Sequence, residues 1–514
     1  MTRTAMVAGA VFVDLPEGFV LSDPDREFRL PNPAYASWER RRRYQSRPGP
    51  APERWVNAFA RVRGGPYHGR VWFPRHGAIL RRLRELDAPI DVVEHRSFPD
   101  LDGTPGPVDL SRPSGLADST VTLRPYQAAA VDALIERRNG VVVAPCGAGK
   151  TAIGCGVVAA VPSPALVLVH TRDLLAQWAE RLRSTFPGLE VGQVGGNKRQ
   201  TSGRVVVATI QTLARWSWAD LIDFGQRFGL VILDEAHHAP ASTWIRVMAG
   251  LPAWFRLGLT ATPERADGLT PLLDWTFGPR LLTITPRQMQ TTGRTLVPTV
   301  YRVAAPSVPL SRDMEPHERA AAIATHVDRN SSIASMAGEA SALGRTTLVI
   351  VDRVEHAETL AEQIPGAAAL VGKVTPKRRA ALLAEVQAGE RRVLVSTTVA
   401  DEGLDLPALD TVILATPTGN LSRVEQRIGR CLRPASDGKT KTPIVVDMLD
   451  EWGAYRGYAR KRSTLYARHG WTVREGRPLF APPKPETPDP DVAEWRERYE
   501  AKIRAGRSGQ FELF

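Results

Sequence analysis

At 514 residues the chain has room for about three domains, and its 43% hydrophobic content is ordinary for globular protein. A net charge of +12 points to a polyanionic partner; all but nine of the 67 Lys and Arg are Arg, whose planar fork matches phosphate geometry, although a GC-rich coding bias gives the same pattern. Cys146, Cys155 and Cys431 form no CxxC pair and the ten His show no ligand spacing, which argues against zinc and disulfides and for a reducing compartment.

In chain order, the apolar patch "MVAGAVFV" is cut off by Asp14 and Pro16 and lacks a small-residue cleavage site, so a strand is expected there and not a signal peptide. Residues 1–118 are rich in Arg, Pro and aromatics. Within them Arg40–Arg43 lie between Trp38 and Tyr44, with Arg63, Arg75, Arg81 and Arg82 further on. Such a set suits a duplex backbone, the other reading being a solvated helix face. The stretch "WFPRHGAILRRLRELDAPIDVVEHRSF" reads as a helix followed by a strand. A linker follows, marked by "PDLDGTPGPVDLSRPSGLADST".

Residues 119–286 alternate short apolar runs with helical patterns. The runs Val141–Val143, Ala165–Val169, Val205–Ala208, Leu230–Leu233 and Phe255–Leu259 are apolar on both faces, as parallel strands covered by helices are. Thr151–Val169 carries no charge, but Pro162-Ser163-Pro164 interrupts it, so a buried helix, a turn and a buried strand are expected and not a membrane span. The rhythm restarts over 287–478, with strands expected at Thr299–Val303, Thr347–Val351, Ala367–Leu370, Arg392–Ser396, Thr411–Leu414 and Pro443–Val446. "HAETLAEQI" and "KRRAALLAEVQAG" read as helices between them. Residues 479–514 are a Pro-rich linker and a charged helix carrying Trp495 and Tyr499.

Two segments carry phosphate chemistry. "APCGAGKT" sits between a strand and a helix and matches GxxxxGK[ST], except that Ala144 stands where the first Gly belongs. Gly147, Ala148 and Gly149 would cradle phosphate on the helix N-terminus, Lys150 would reach the β- and γ-phosphates and Thr151 would ligate Mg²⁺. "LVILDEAHHAP" ends a strand in Asp234-Glu235, on the sheet edge that faces the phosphate loop. Asp234 would hold Mg²⁺ through water and Glu235 would orient the attacking water. His237 reads as a coupling residue and His238 as structural.

"GAGKT" with "DEAH" resembles the superfamily 2 helicases and translocases, and further motifs of that group follow in order. "LRPYQ" resembles the adenine-reading segment, which implies Gln127 on the base. "VLVHTRDLLAQW" and "VVVATIQTL" resemble motifs Ia and Ib, implying nucleic-acid contacts from His170, Thr171, Arg172, Thr209 and Gln211. "GLTATP" resembles motif III, with Thr260 and Thr262 as coupling residues, and "TLVIVDRVEHAETL" resembles motif IV. "VSTTVADEGLDLP" resembles motif V, implying Thr397 and Thr398 on the strand and Asp405 on the ribose. "QRIGRCLRP" resembles motif VI: helical spacing would place Arg430 and Arg433 a turn apart as arginine fingers, with Gln426 a turn earlier and Arg427 in a structural salt bridge.

"LTATPERADG" and "QRIGRCLRP" resemble the group of XPB, UvsW and restriction-type helicases, although "ERAD" (Arg265, Asp267) alters the order of that group's Arg-Glu-Asp element. The resemblance implies two tandem RecA-like doubly wound α/β domains with parallel sheets and a small α+β N-terminal accessory domain. It implies an ATP- and Mg²⁺-dependent DNA helicase or duplex translocase, active in the cytoplasm of a bacterial or phage-infected cell, with no membrane partner. An RNA remodeller and an ATPase clamp without strand separation are the alternatives.

Overall fold

Strands buried on both faces follow directly from the apolar runs. The structure is a computed structural model that describes residues 3–7, 10–13, 29–42, 50–57, 60–61, 70–73, 90–101, 109–110, 116, 122–145, 147–235, 241–261, 269–291, 295–397, 406–432 and 441–480. It divides into two compact units, Met1–Ala144 with Gly149–Ile284, and Pro145–Ala148 with Thr285–Phe514.

The first unit begins with a five-stranded sheet of β1 (Arg3–Val7), β2 (Val11–Val13), β5 (Ala60–Arg61), β6 (Val71–Phe73) and β7 (Ile90–Glu94), in the order β5-β6-β2-β1-β7. A separate pair, β3 (Arg29–Pro31) and β4 (Trp55–Asn57), flanks a helix, Pro33–Arg42. The patch expected as one strand is therefore two. They run antiparallel, which sets buried Met6 opposite buried Phe12. Met6, Ala10 and Phe12 join the core formed with Leu221 and Ile222, and Phe12 meets Trp218 edge-on at 6.4 Å. The N-terminal helix expected ahead of β7 lies outside the described residues, as do Arg43, Tyr44 and the C-terminal charged helix.

The main sheet of this unit contains β8 (Asn139–Val143), β9 (Ala165–Val169), β10 (Val191–Gly195), β11 (Lys198–Gln200), β12 (Val205–Thr209), β13 (Leu230–Asp234), β14 (Phe255–Thr260) and β15 (Arg280–Thr283). Its order is β11-β10-β12-β9-β13-β14-β8-β15. Every pairing is parallel except β10–β11, an antiparallel hairpin at one edge. β9, β12, β13 and β14 are buried along their whole length, and each large aliphatic side chain so buried stabilises the fold by roughly 1.5–3 kcal/mol. The uncharged stretch after the phosphate loop is a buried helix, Lys150–Ala160, a turn, and β9, as expected. Arg256 on β14 is a buried exception. Its guanidinium donates to the carbonyls of Met248 (2.9 Å), Leu251 (2.7 Å) and Thr276 (3.3 Å), and burial lowers its pKa to about 9.

The second unit is a wholly parallel sheet of β16 (Thr299–Ala304), β17 (Thr347–Ile350), β18 (Ala368–Leu370), β19 (Val393–Ser396), β20 (Thr411–Leu414), β21 (Ile444–Leu449) and β22 (Thr472–Glu475). Its order is β18-β19-β17-β20-β21-β16-β22. Two buried arginines brace the loop that leads into the helix Leu421–Cys431. Arg329 pairs with Asp450 and donates to the Ala415 carbonyl at 2.7 Å. Arg462 pairs with Asp447 and donates to the Thr418 carbonyl at 2.8 Å, while the Tyr466 hydroxyl donates to the same Asp447 at 2.9 Å. Unpaired, such charges would be strongly destabilising in a core.

Candidate nucleotide and nucleic-acid site

Strand register collects the motifs on the carboxyl edge of the first sheet. Asp234 ends β13 opposite Leu259, and Thr260 ends β14 opposite Val143, the last residue of β8. The Ala144 amide donates to the Thr260 carbonyl at 2.8 Å. Motif III is thereby wedged between the phosphate loop and the acidic pair. Gly147 and Gly149 have φ of +86° and +77°, a left-handed conformation that glycine adopts without strain. Gly149 begins the helix Lys150–Ala160, whose N-terminus has no side-chain cap. Such a helix N-terminus directs its first N–H groups and the positive end of its dipole toward the loop, where a phosphate would be favourably placed. Ala148 is buried, while Lys150 and Thr151 are half-buried.

Lys150 Nζ lies 2.9 Å from Glu235 Oε1 and donates to the Ala144 carbonyl at 3.4 Å. Glu235 has φ of +50°; such a conformation costs on the order of 1–3 kcal/mol and persists where the surroundings impose it. Asp234 is only 5% exposed. Burial first, and then the neighbouring Glu235 charge, push its pKa up to about 6; Lys150 and a hydrogen bond from Trp178 act in the other direction. That bond, Trp178 Nε1 to Asp234 Oδ2 at 2.7 Å, escaped the sequence reading. Trp178 sits on an amphipathic helix, Arg172–Thr185, where a Trp reads simply as core. Its ring fills the space over Gly154, where a Cβ would come within 2.4 Å of it.

These residues fit a Mg²⁺-nucleotide. One buried carboxylate, Asp234, suits an ion that takes most of its remaining ligands from phosphates and water. No cluster of three or more His, Cys, Asp or Glu able to hold a metal occurs among the described residues. Gln127 is buried in a capping box, its Oε1 accepting from the Arg124 amide at 2.9 Å. Its Nε2 is so near Gly149 that a Cβ there would approach it to 2.5 Å.

The motif Ia and Ib residues gather at the ends of β9 and β12, and β9 is paired with β13, the strand of the acidic pair. Thr171 caps the helix Arg172–Thr185, accepting from the Leu174 amide at 3.3 Å. Arg172 is exposed and lies over Gly196, where a Cβ would meet its Nε at 3.4 Å. Thr209 is buried, with its hydroxyl 2.7 Å from that of Thr212, while His170 is half-buried and Gln211 exposed. The Gly195-Gly196 turn in this group was not singled out from the sequence, although a Gly pair closing an apolar strand is a turn signal.

In the second unit Thr397 follows β19 and is buried. The helix Leu421–Cys431 is capped by Asn420, whose Oδ1 accepts from the Arg423 amide at 3.2 Å. Gln426 and Arg427 are buried and Arg430 is half-buried. Glu425 on this helix pairs with Arg468 at 3.2 Å, and its other oxygen lies 3.0 Å from His469 Nε2. The described part of this helix ends at Cys431, with Leu432 as its C-cap. Arg433 itself, with His237, His238, Thr262, Arg265, Asp267, Thr398 and Asp405, lies outside the described residues.

The family described as "Type III restriction enzyme, res subunit" matches residues 120–265, and "Helicase conserved C-terminal domain" matches residues 329–435. A protein of Kineococcus radiotolerans named "DNA 3'-5' helicase XPB" is 30% identical over 380 residues, covering 70% of this chain and 65% of its own length. A Rad25 protein of Halobacterium salinarum, assigned as a DNA 3'-5' helicase, is 32% identical over 390 residues, covering 73% of this chain and 62% of its own. The chain thus spans under two thirds of the length of both relatives. Among solved structures, a fragment assigned to the HsdR subunit of a type I restriction enzyme from Vibrio vulnificus has the same fold, with a TM-score of 0.54 at 20% identity and 71% of each chain covered.

Proposed function

We propose, from the premise that this chain belongs to superfamily 2 with the XPB and restriction-type proteins, that it is an ATP-dependent DNA helicase or duplex translocase. The observation that carries the reading is the alignment of Lys150, Thr260, Asp234 and Glu235 on three neighbouring strand ends beside an uncapped helix N-terminus. Bound Mg²⁺-ATP supplies the phosphoryl group to be cleaved and the charge that stabilises its departure. Lys150 leaves Glu235 for the phosphates, and Glu235, once released, orients the attacking water. Asp234 and Thr151 hold the ion, and Gln127 reads the base with Asp405 on the ribose. Arg430 and Arg433 of the second unit complete the charge around the γ-phosphoryl group, so that hydrolysis separates what binding joined. His237 and Thr262 pass that change on; Thr397 and Thr398 join Arg172 and Gln211 in gripping the strand.

We take residues 1–118 as a DNA-binding accessory domain, 119–286 and 287–478 as the two motor domains, and 479–514 as a linker and helix. Among the described residues no helix is long and apolar enough to cross a membrane, and we place the protein in the cytoplasm of a bacterial or phage-infected cell, in repair, recombination, replication or defence.

The test is ATP turnover measured with single-stranded, duplex, forked and four-way DNA and with RNA, at one stated salt concentration. Stimulation by duplex or branched DNA is expected. Preference for RNA would replace the substrate, and turnover without strand separation or translocation would make the protein a switch. Arg430→Ala should keep nucleotide binding while turnover falls by about 10³; an unchanged rate removes the second unit from the site.

A further inference from the structure

A groove of about 710 Å³ runs along the β10–β11 hairpin at the free edge of the first unit's sheet, lined by Arg183, Lys198 and Arg199 together with Gln193, Gln200 and Ser202. No motif accounts for it. The register pairs Gly195 with Lys198 and Gln193 with Gln200. The lining therefore extends from Lys198, which pairs with Gly195 at the turn, to Ser202, roughly 13 Å at 3.3 Å per strand residue, with Arg183 beside it.

Its chemistry is one-sided. Lys198, Arg199, Gln200 and Arg183 are all exposed, and no carboxylate lines the groove. Internal bonds hold the cations in place: Lys198 Nζ donates to Gln193 Oε1 at 2.8 Å, and the Arg183 guanidinium donates to the Val191 carbonyl at 3.1 Å. Arg199 lies over the Trp216 ring, 5.1 Å from its centroid. An ammonium has three donors and a guanidinium five, so these bonds orient the cations and leave them donors for a ligand. The amides and hydroxyls between them add neutral hydrogen-bonding groups of the kind that meet phosphate oxygens.

No aromatic side chain lines the groove either. Sites for unpaired strands combine cations with rings on which bases stack; this one offers contacts to backbone alone. We infer that the hairpin groove seats the phosphate backbone of a DNA duplex that continues beyond the strand-gripping residues, an inference that rests on the DNA-motor reading. Arg183, Lys198 and Arg199 bind phosphates there without reading sequence.

The test is fluorescence anisotropy of the full chain with labelled blunt duplex and labelled single-stranded DNA over a salt series, for wild type and Arg183→Ala/Lys198→Ala. Duplex affinity should fall about tenfold near 0.1 M salt, and the slope of log K against log salt should shrink by about 2, close to 0.9 per lost phosphate contact. Single-strand affinity and DNA-free ATP turnover should stay at wild-type values. The single variant Lys198→Glu, at an exposed position, repeats the test without removing the Arg183 bond to Val191, in case the double variant melts early. Wild-type duplex affinity and slope in the variants overturn the inference, and so does an equal loss on single strands. If the wild type neither binds DNA nor is stimulated by it, the motor reading itself has failed.

Discussion

The carboxyl edge of the first sheet has two contrasting halves. At β8, β14 and β13 the side chains are charged, enclosed and conformationally forced: Asp234 is 5% exposed, Glu235 has φ of +50°, and Lys150 pairs with Glu235 at 2.9 Å. At β9, β12 and β10 the side chains are polar or singly charged and in ordinary geometry, with Thr171 doing a helix cap's work and Arg172 and Gln211 in solvent. The difference is what the two proposed ligands would require. A triphosphate must be met by fixed charges in a dry pocket, where electrostatic interactions are strong. A nucleic-acid backbone is a repeating polyanion that must slide, and exposed, exchangeable contacts suit it.

The contrast can be broken most severely at Lys150. Lys150→Ala should reduce turnover by 10³-fold or more, by about 4 kcal/mol or above, while DNA binding measured without nucleotide persists; normal turnover would remove the phosphate-loop assignment. Next is the cost of the buried acid. Because the folded pKa of Asp234 is raised from 3.8 to about 6, the native state holds its proton to higher pH than the unfolded chain. Stability is then lost as pH rises from about 4 to 6. Asp234→Asn should therefore raise the unfolding free energy at pH 7 by roughly 1–3 kcal/mol while abolishing turnover, with a smaller gain at pH 4; the same difference between variant and wild type at both pH values would contradict it. Trp178→Phe keeps the packed ring but loses the indole N–H. The Mg²⁺ concentration needed for nucleotide binding should rise and turnover fall about tenfold, the scale of a hydrogen bond to a charged group; an unmoved Mg²⁺ requirement would leave Trp178 as core alone. Smallest is Arg172→Ala, which should weaken DNA binding a few-fold and lower the salt slope by about 1 with DNA-free turnover unaltered. A matching fall in DNA-free turnover would erase the distinction between the halves.

The acidic pair and the phosphate loop were legible because backbone chemistry dictates them: only Gly turns left-handed without strain, and a doubly wound sheet brings its strand ends to one crevice. The buried strands were legible for the same kind of reason, apolarity on both faces. β10 and β11 were not, since "VGQVGGNKRQ" has neither an apolar run nor clean alternation, and edge pairing alone makes it a hairpin. Trp178 was missed because periodicity tells which face a side chain occupies and nothing of where its N–H points.

Gly154 leaves no slack between the phosphate-loop helix and the helix Arg172–Thr185: a methyl group there would already press within 2.4 Å of the Trp178 ring. With that ring also tethered to Asp234 at 2.7 Å, neither helix can advance on the other. On the proposed reading, a displacement at the Arg172 end of one helix would be carried by the Trp178 ring to Asp234 with no free play between them.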